Sequence, residues 1–398
     1  MFDLRRRGKV GKLGMVGVNG TKFSAISRFI ARAVDLLCLA LTRCPGKHLY
    51  ENISLVYNGM DTSFESWPAD DTIDPEAYKK AIDALLPGDA VTIFTPDTTH
   101  FPIALYAIER GIHVMITKPV VKLLEHHVAL IQAAEKHGVF VYVEHHKRYD
   151  PAYWDARVRA QKLGDFNYFY SYMSQPKSQL ETFKAWAGVD SDISYYLNSH
   201  HIDICDSMVS PLGYVPVKVS ASASKGVATS LGCNEATEDT ISLLVHWEKK
   251  GDPTKHATAV YTASWTAPQR AGVHSNQYFH YLAKGGEINI NQAKRGYDVA
   301  EDSAGQVVWY NPFYMRYAPD ENGNFNGQSG YGYVSIEKFV DACRSINAGI
   351  SKPADYDNKG LPTLKNTIAT TAILEAGRRS IDENREIRIE SGDSWKLI

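Results

Sequence analysis

Three groups of residues in this chain have types and spacings suited to proton transfer and to holding an anionic ligand. Lys118, in Thr117-Lys118-Pro119, ends a short apolar run. A lysine at a strand end donates a hydrogen bond to a ligand oxygen and keeps positive charge beside it, although most lone lysines are surface residues. Tyr196, His200 and Asp203, in the segment 192–203, fall at i, i+4 and i+7 and share one helical face. A histidine one turn from a tyrosine forms a proton-transfer pair; the plainer alternative is a satisfied buried histidine. His200 and His201 lack a clear third ligand, so no metal site is expected. Gly17-Val18-Asn19-Gly20-Thr21-Lys22 joins an apolar run to a helical pattern. Such a turn lets backbone approach a pyrophosphate and offers it the positive end of a helix.

That turn departs from G-x-G-x-x-G, because Asn19 stands at the second glycine and the third is missing. Asparagine tolerates left-handed backbone better than most residues, so the turn is expected to survive. Asp61 is the first carboxylate after the expected second strand and the candidate for a ribose hydroxyl. Its distance from the glycine turn fits an insertion around residues 44–51, and it leaves the choice between NAD and NADP open. Thr95-Pro96-Asp97-Thr98-Thr99-His100 joins a strand end to a helix start, with capping by Asp97 or Thr98 as its plain reading. No G-x-S-x-G, H-E-x-x-H or phosphate-loop sequence occurs, so hydrolase and kinase chemistry have no motif behind them.

The elements that must position these residues alternate in type over the first third of the chain. Strands are predicted at 12–18, 53–57, 90–94, 113–116 and 139–143, and helices at 23–41, 75–86, 100–110 and 123–137. Strand and helix in alternation with short connections predict a parallel sheet with helices on both faces. Ligands bind outside the carboxyl ends of such strands, where Gly17–Gly20, Asn58–Asp61, Thr95–Asp97, Lys118-Pro119 and Glu144–Arg148 fall. After about residue 150, strands follow one another at 166–173, 215–223, 239–247, 257–265, 277–283 and 306–310. Helical patterns stand at 192–208, 335–348 and 363–384, and 320–332 is predicted to be a loop. The expected architecture is α/β plus α+β. A dinucleotide-binding domain spans 1–150, and a substrate-binding and oligomerisation domain with a large, mostly antiparallel open sheet spans 151–398. The final helix is expected to pack back on the first domain.

The 398 residues carry 43 Lys plus Arg and 45 Asp plus Glu, a net charge of -2, which gives no support to nucleic acid or an anionic membrane as partner. No apolar run approaches the roughly 18 residues of a membrane span, and no signal peptide is evident. The five cysteines are scattered without a C-x-x-C pair, as expected for a reducing, cytoplasmic setting. An open sheet face predicts a homodimer or homotetramer.

Thr95-Pro96 with His100, the run 113–119 ending in Lys118-Pro119, Arg148-Tyr149-Asp150-Pro151 and His200-His201-Ile202-Asp203 stand in the order of the Gfo/Idh/MocA oxidoreductases. The chain resembles that family from residue 13 to about 205. The resemblance implies an N-terminal Rossmann domain with Gly17, Asn19, Gly20, Thr21, Asp61, Thr95, Pro96, His100 and Lys118 at NADP or NAD, NADPH being slightly favoured. It implies Lys118 polarising the substrate oxygen, His200 as general acid or base with His201 its competitor, and Tyr196 orienting substrate or joining the relay. Arg148 and His201 join Lys118, Tyr196 and His200 as substrate contacts. Thr117 replaces the family's usual glutamate, Tyr196 its aspartate and Asn198 a common glycine. The insertion and the segments 149–153 and 198–203 look like a fungal branch that includes D-galacturonate reductases. That likeness implies reduction of the aldehyde of D-galacturonate or D-glucuronate to the aldonic acid. A uronate carboxylate needs a cation, and Lys147, Arg148 and Lys184 are candidates. Trp186, Trp265 and Tyr331 are candidate sugar-facing rings. Two alternatives remain: a dehydrogenase of a cyclic polyol or neutral sugar, and a non-catalytic dinucleotide-binding corepressor.

Overall fold

The computed structural model describes the chain except residues 22, 24–60, 70, 303, 304, 323, 324 and 393. The expected helix beyond Phe23, the insertion and the strand at 53–57 fall outside the described residues. Strand β1 (Gly14–Val16) pairs in parallel with β2 (Glu65–Trp67). Strands β3 (Ala90–Ile93), β4 (His113–Thr117) and β5 (Val141–Glu144) form a parallel sheet in that order. β4 and β5 are buried almost throughout, as their continuous apolar runs require of strands covered on both faces. Helix His100–Ile108 buries Ala104, Ala107 and Ile108, and helix Leu124–His137 buries Leu130. They pack with Val114, Ile116, Val141 and Val143 into one core. Gly138 closes the second helix at φ +64°, a conformation that favours glycine.

Among the described residues, β1–β2 and β3–β4–β5 are separate sheets rather than the one sheet expected. The strand at 65–67 went unpredicted, because three residues are too few to show a period of two.

Eight strands build the second sheet, in the order β11-β10-β6-β9-β8-β7-β16-β17. They are β6 (Phe166–Pro176), β7 (Tyr214–Ser224), β8 (Thr240–Lys249), β9 (Asp252–Ala267), β10 (Asn276–Ala283), β11 (Gly286–Asn291), β16 (Ile387–Glu390) and β17 (Lys396–Leu397). Only the central pair β6–β9 is parallel; the other pairs are antiparallel. Phe169, Leu243, Val245, Tyr261 and Phe279 share one buried core with residues of helices Ser199–Val209 and Ile368–Glu383. Strand β12 (Asp298–Glu301) pairs with β13 (Gln306–Trp309) apart from the large sheet. The segment 320–332 is not wholly a loop. Strand β15 (Phe325–Ser329) pairs with β14 (Arg316–Pro319), and a helix begins at Tyr331. Among the described residues no helix is long and apolar enough to cross a membrane.

The parallel and mostly antiparallel layers are stitched at three points. The Asp150 carboxylate accepts Ala152 N–H at 3.0 Å, capping helix Pro151–Lys162. The last long helix reaches back, its Glu375 accepting Leu124 N–H and its Thr371 meeting His127. Arg148, just beyond β5, forks onto Asp203 with Nε–Oδ2 2.8 Å and Nη2–Oδ1 2.6 Å, and donates to the carbonyls of Gly360 and Asn366. Both charges are buried. Burial pushes the Asp203 carboxyl up, and the Arg148 charge outweighs it and holds the group below its ordinary value. Arg148→Met is expected to cost about 3–5 kcal/mol in denaturant unfolding, because it strands the Asp203 carboxylate. A double replacement by Met and Leu should recover part of that loss.

Candidate active site

Asp192 starts the segment that carries the site. Its carboxylate accepts Ser194 N–H at 2.8 Å and Tyr195 N–H at 2.9 Å, and Arg378 meets the other oxygen at 3.4 Å. A π-helical turn, Ser194–Asn198, follows and runs into helix Ser199–Val209. Such turns recur at functional sites because they shift side chains off the ordinary helical register. Here the turn exposes the Tyr196 carbonyl, which accepts a hydrogen bond from Lys118 Nζ. The Lys118 ammonium also lies 4.3 Å from the Tyr196 ring centre. The ring stacks on Trp265 and meets Phe183 and Trp186. Burial raises the Tyr196 phenol above its ordinary value, so it stays protonated.

Lys118 is pushed down to about 8, by burial first, against the opposing pull of Asp97 and Glu144. Asp97 is itself raised by burial, and it accepts the Ser191 hydroxyl. Thr98 and Lys122 both bond Asp190, so the loop after β3 is tied to the segment that enters the π-helical turn.

His200 is 7% exposed, and its Nδ1 has no hydrogen-bond partner among the described residues. Burial, then the charges of Lys118 and Lys147 and the rings of His146 and His145, hold it well below its ordinary value. His201 sits elsewhere: its Nε2 meets the Tyr153 hydroxyl at 2.9 Å, and its ring lies edge-on to Phe279 in the core. Asp203, the third residue of the expected face, is consumed by Arg148. Arg148 is therefore bound up in the fold, and Lys184 pairs with Glu181 at the surface. Lys147 is the buried cation that remains. It donates to Gln277 and to Gln292, the latter at 2.7 Å, and burial pushes it down to about 7. Of the aromatic candidates, Trp265 is fully buried and donates to the Glu238 carbonyl, while Tyr331 lines the site through His146.

The sequence missed His146. Its ring centre is 5.2 Å from that of His200, it stacks on Tyr331, and its Nδ1 meets Glu144 Oε2 at 2.8 Å. The available signal was its place at a strand end, where polar residues converge.

At the glycine turn, a Cβ on Gly17 would come to 3.0 Å from the Phe23 ring, so glycine lets the start of the next helix approach the strand. Asn19 Oδ1 accepts the Thr21 N–H at 3.0 Å and hydroxyl at 2.7 Å, capping that helix. Gly20 N–H donates to the Thr72 carbonyl. Asp61 accepts the N–H and hydroxyl of Ser63 and pairs with Arg5 at 3.0 Å while remaining exposed. Thr95 and Pro96 are exposed at the end of β3. His100 is buried, its ring clamped among the carbonyls of Thr95, Pro119 and Val120. These residues fit a dinucleotide: close approach at Gly17, a capped helix start and exposed polar groups at the strand ends. Among the described residues no cluster of three or more His, Cys, Asp or Glu forms a metal site.

Residues 14–145 match the family model GFO_IDH_MocA, described as an oxidoreductase family with an NAD-binding Rossmann fold. This segment is similar to the NAD-binding Rossmann domain of that family. The chain is 31% identical over 118 residues to the uncharacterized oxidoreductase YdgJ of Escherichia coli, covering 29% of this chain and 34% of that protein. It is 34% identical over 119 residues to scyllo-inositol 2-dehydrogenase (NAD(+)) of Bacillus subtilis, covering 27% and 35%. The chain thus spans about a third of the length of these curated relatives. The fold extends further. The scyllo-inositol dehydrogenase of Lactobacillus casei with bound NAD(H) and scyllo-inositol superposes with TM-score 0.56, at 16% identity, over 95% of this chain and 98% of that one. The myo-inositol 2-dehydrogenase of Lactobacillus plantarum gives 0.58 at 17%, over 95% and 99%. Both therefore share the architecture of a Rossmann domain joined to a large, mostly antiparallel sheet.

Removing Asp97 takes away one of the two carboxylates that hold a proton on Lys118. In ¹⁵N NMR titration, the Lys118 ammonium is expected to titrate near 8, and Asp97→Asn is expected to move the midpoint lower.

Proposed function

We propose that the protein is an NAD(H)-dependent oxidoreductase interconverting CH–OH and C=O on a polyhydroxylated small molecule. One observation carries this reading: Lys118, at the carboxyl end of a Rossmann strand, is held against the π-helical turn that delivers His200. Sites at this edge of a parallel sheet face the crevice where dinucleotides bind. When bound, the nicotinamide supplies or takes the hydride. The residues of this chain handle the rest. The Lys118 ammonium polarises the substrate oxygen, and His200 gives that oxygen a proton in reduction or takes one in oxidation. The protonated Tyr196 phenol orients the hydroxyls. Hydride reaches carbon as the proton reaches oxygen, so charge is balanced in either direction.

The roles of the other candidates follow from their partners. Gly17, Asn19, Gly20 and Thr21 hold the pyrophosphate end, Asp61 the ribose, and Thr95 and Pro96 border the nicotinamide. His100, His201 and Arg148 hold the fold rather than ligand. NAD is favoured over NADP, because the family description and the Bacillus relative both name NAD. A cyclic polyol is the favoured substrate class, since the named relatives include inositol dehydrogenases. A uronate aldehyde is the second reading, favoured by Lys147, a buried cation that no carboxylate touches directly. The domain boundary is placed at 150/151, where Asp150 caps the next helix. The outer sheet face, with Tyr168, Tyr170, Tyr172 and Tyr278, suits a homo-oligomer in the cytoplasm.

The test is nicotinamide absorbance with inositols, neutral sugars and uronates, run with NAD(H) and NADP(H) in both directions. Turnover of inositols with NAD is expected. Binding of dinucleotide without any turnover would instead support the corepressor reading. Lys118→Ala is expected to lower kcat about 10²–10⁴-fold while sparing NAD(H) binding. Activity that needs the ammonium falls as pH rises through about 8. His200→Ala should lose more turnover than His201→Ala, whose loss should appear instead as a lower Tm.

A further inference from the structure

His200 is the proton carrier of the proposed reaction, yet among the described residues nothing in contact with it stabilises charge. It is buried, its Nδ1 is unpartnered among the described residues, and Lys118 and Lys147 add positive charge around it. A ring in that position passes a proton on but does not store one. The neighbouring imidazole has what His200 lacks. His146 Nδ1 meets Glu144 Oε2 at 2.8 Å, which fixes the donor on that side and leaves Nε2 for a second partner. The ring lies 5.2 Å from His200, centre to centre, and its side chain is 16% exposed. Tyr331 stacks on one side of it, and Tyr314 lies 5.2 Å away. Gly330, at φ +105°, and Gly332 permit this aromatic corner: a Cβ on either would fall within 2.7 Å of Tyr314 atoms. A carboxylate behind an imidazole orients the ring and faces the charge that forms on it during proton transfer.

We propose that Glu144 and His146 form a proton relay that charges and discharges His200 during turnover. The inference rests on the oxidoreductase reading. In reduction, His200 gives its proton to the substrate oxygen as hydride reaches carbon, and His146 returns a proton to His200 and regains one from solvent. In oxidation each transfer reverses. No other atom is gained or lost. His146 acts through His200, and Glu144 acts through His146 and, at a distance, on Lys118, so they are positioning residues rather than groups that touch substrate.

The test uses the whole protein with the substrate found in the panel above. His146→Ala is expected to lower kcat about 10²-fold with KM changed less than about threefold, and added imidazole should restore at least about tenfold. Glu144→Gln should lower kcat about tenfold without imidazole rescue. NAD(H) affinity and Tm should match wild type in both. His146→Gln, which keeps the side-chain bulk and one hydrogen bond, should fold and remain slow. Near-normal kcat in His146→Ala would overturn the relay. So would a loss that imidazole does not relieve, or failure of both His146 variants to fold. A wild-type protein that turns nothing over sinks the oxidoreductase reading itself. An active wild type with an unimpaired His146→Ala sinks the relay alone.

Discussion

The site depends on burying cations where two layers meet. Lys147 and Arg148 are buried and Lys118 is half-buried at the strand ends, and an isolated buried charge costs several kcal/mol. Each is handled differently. Arg148 receives a full carboxylate in fork geometry and keeps its charge. Lys118 receives a carbonyl, a tyrosine face and two carboxylates acting at a distance, and drops to about 8. Lys147 has amide oxygens in contact and Asp150 at a distance, and drops to about 7. The gradient from structural cation to titrating cation follows the quality of the counter-charge. It separates the residue that locks β5 to the site helix from those free to respond to a ligand.

Much of this was legible in the sequence, for physical reasons that also mark where it stopped. β4 and β5 are long enough and apolar enough to announce themselves, and Gly138 ends its helix as its position required. Lys118 was legible because strand ends in a parallel sheet converge on one edge. The β1–β2 pairing was not, since three-residue strands carry no period. The central parallel pair β6–β9 was equally hidden, because sequence shows strands but not the direction in which distant ones meet.

The helix face was legible only in part. Regular i, i+4, i+7 spacing placed Tyr196, His200 and Asp203 together, and the π-helical turn alters that picture. Tyr196 contributes a carbonyl to Lys118 as well as a ring, His200 lies against His146, and Asp203 turns to Arg148. Arg148 looked like a ligand cation because arginine usually meets anions. Its partner proved to be Asp203, 55 positions away, which no local pattern reveals. His146 and Glu144 were overlooked because residues i and i+2 at a strand end carry no spacing signal of their own. Only the fold shows that they point into the same pocket of side chains as His200.

Substrate choice turns on the same distribution of charge. A neutral polyol asks only for hydrogen bonds and one ammonium at the reacting oxygen, the part proposed for Lys118. An acid substrate also asks for a cation whose hydrogen bonds are weak enough to exchange. Arg148 is too well paired to give up Asp203, and Lys184 is spent on Glu181 at the surface. Of the three candidates for a carboxylate, Lys147 has the needed combination of burial and neutral partners. Moving an anion beside it would favour the protonated amine and offset the burial that now pushes it down. The same anion would sit in the field of Lys118 and oppose the fall of that lysine's charge at alkaline pH. The two substrate classes therefore differ in how they would couple to the protonation of the site, through Lys147, which has amide oxygens rather than a carboxylate in contact.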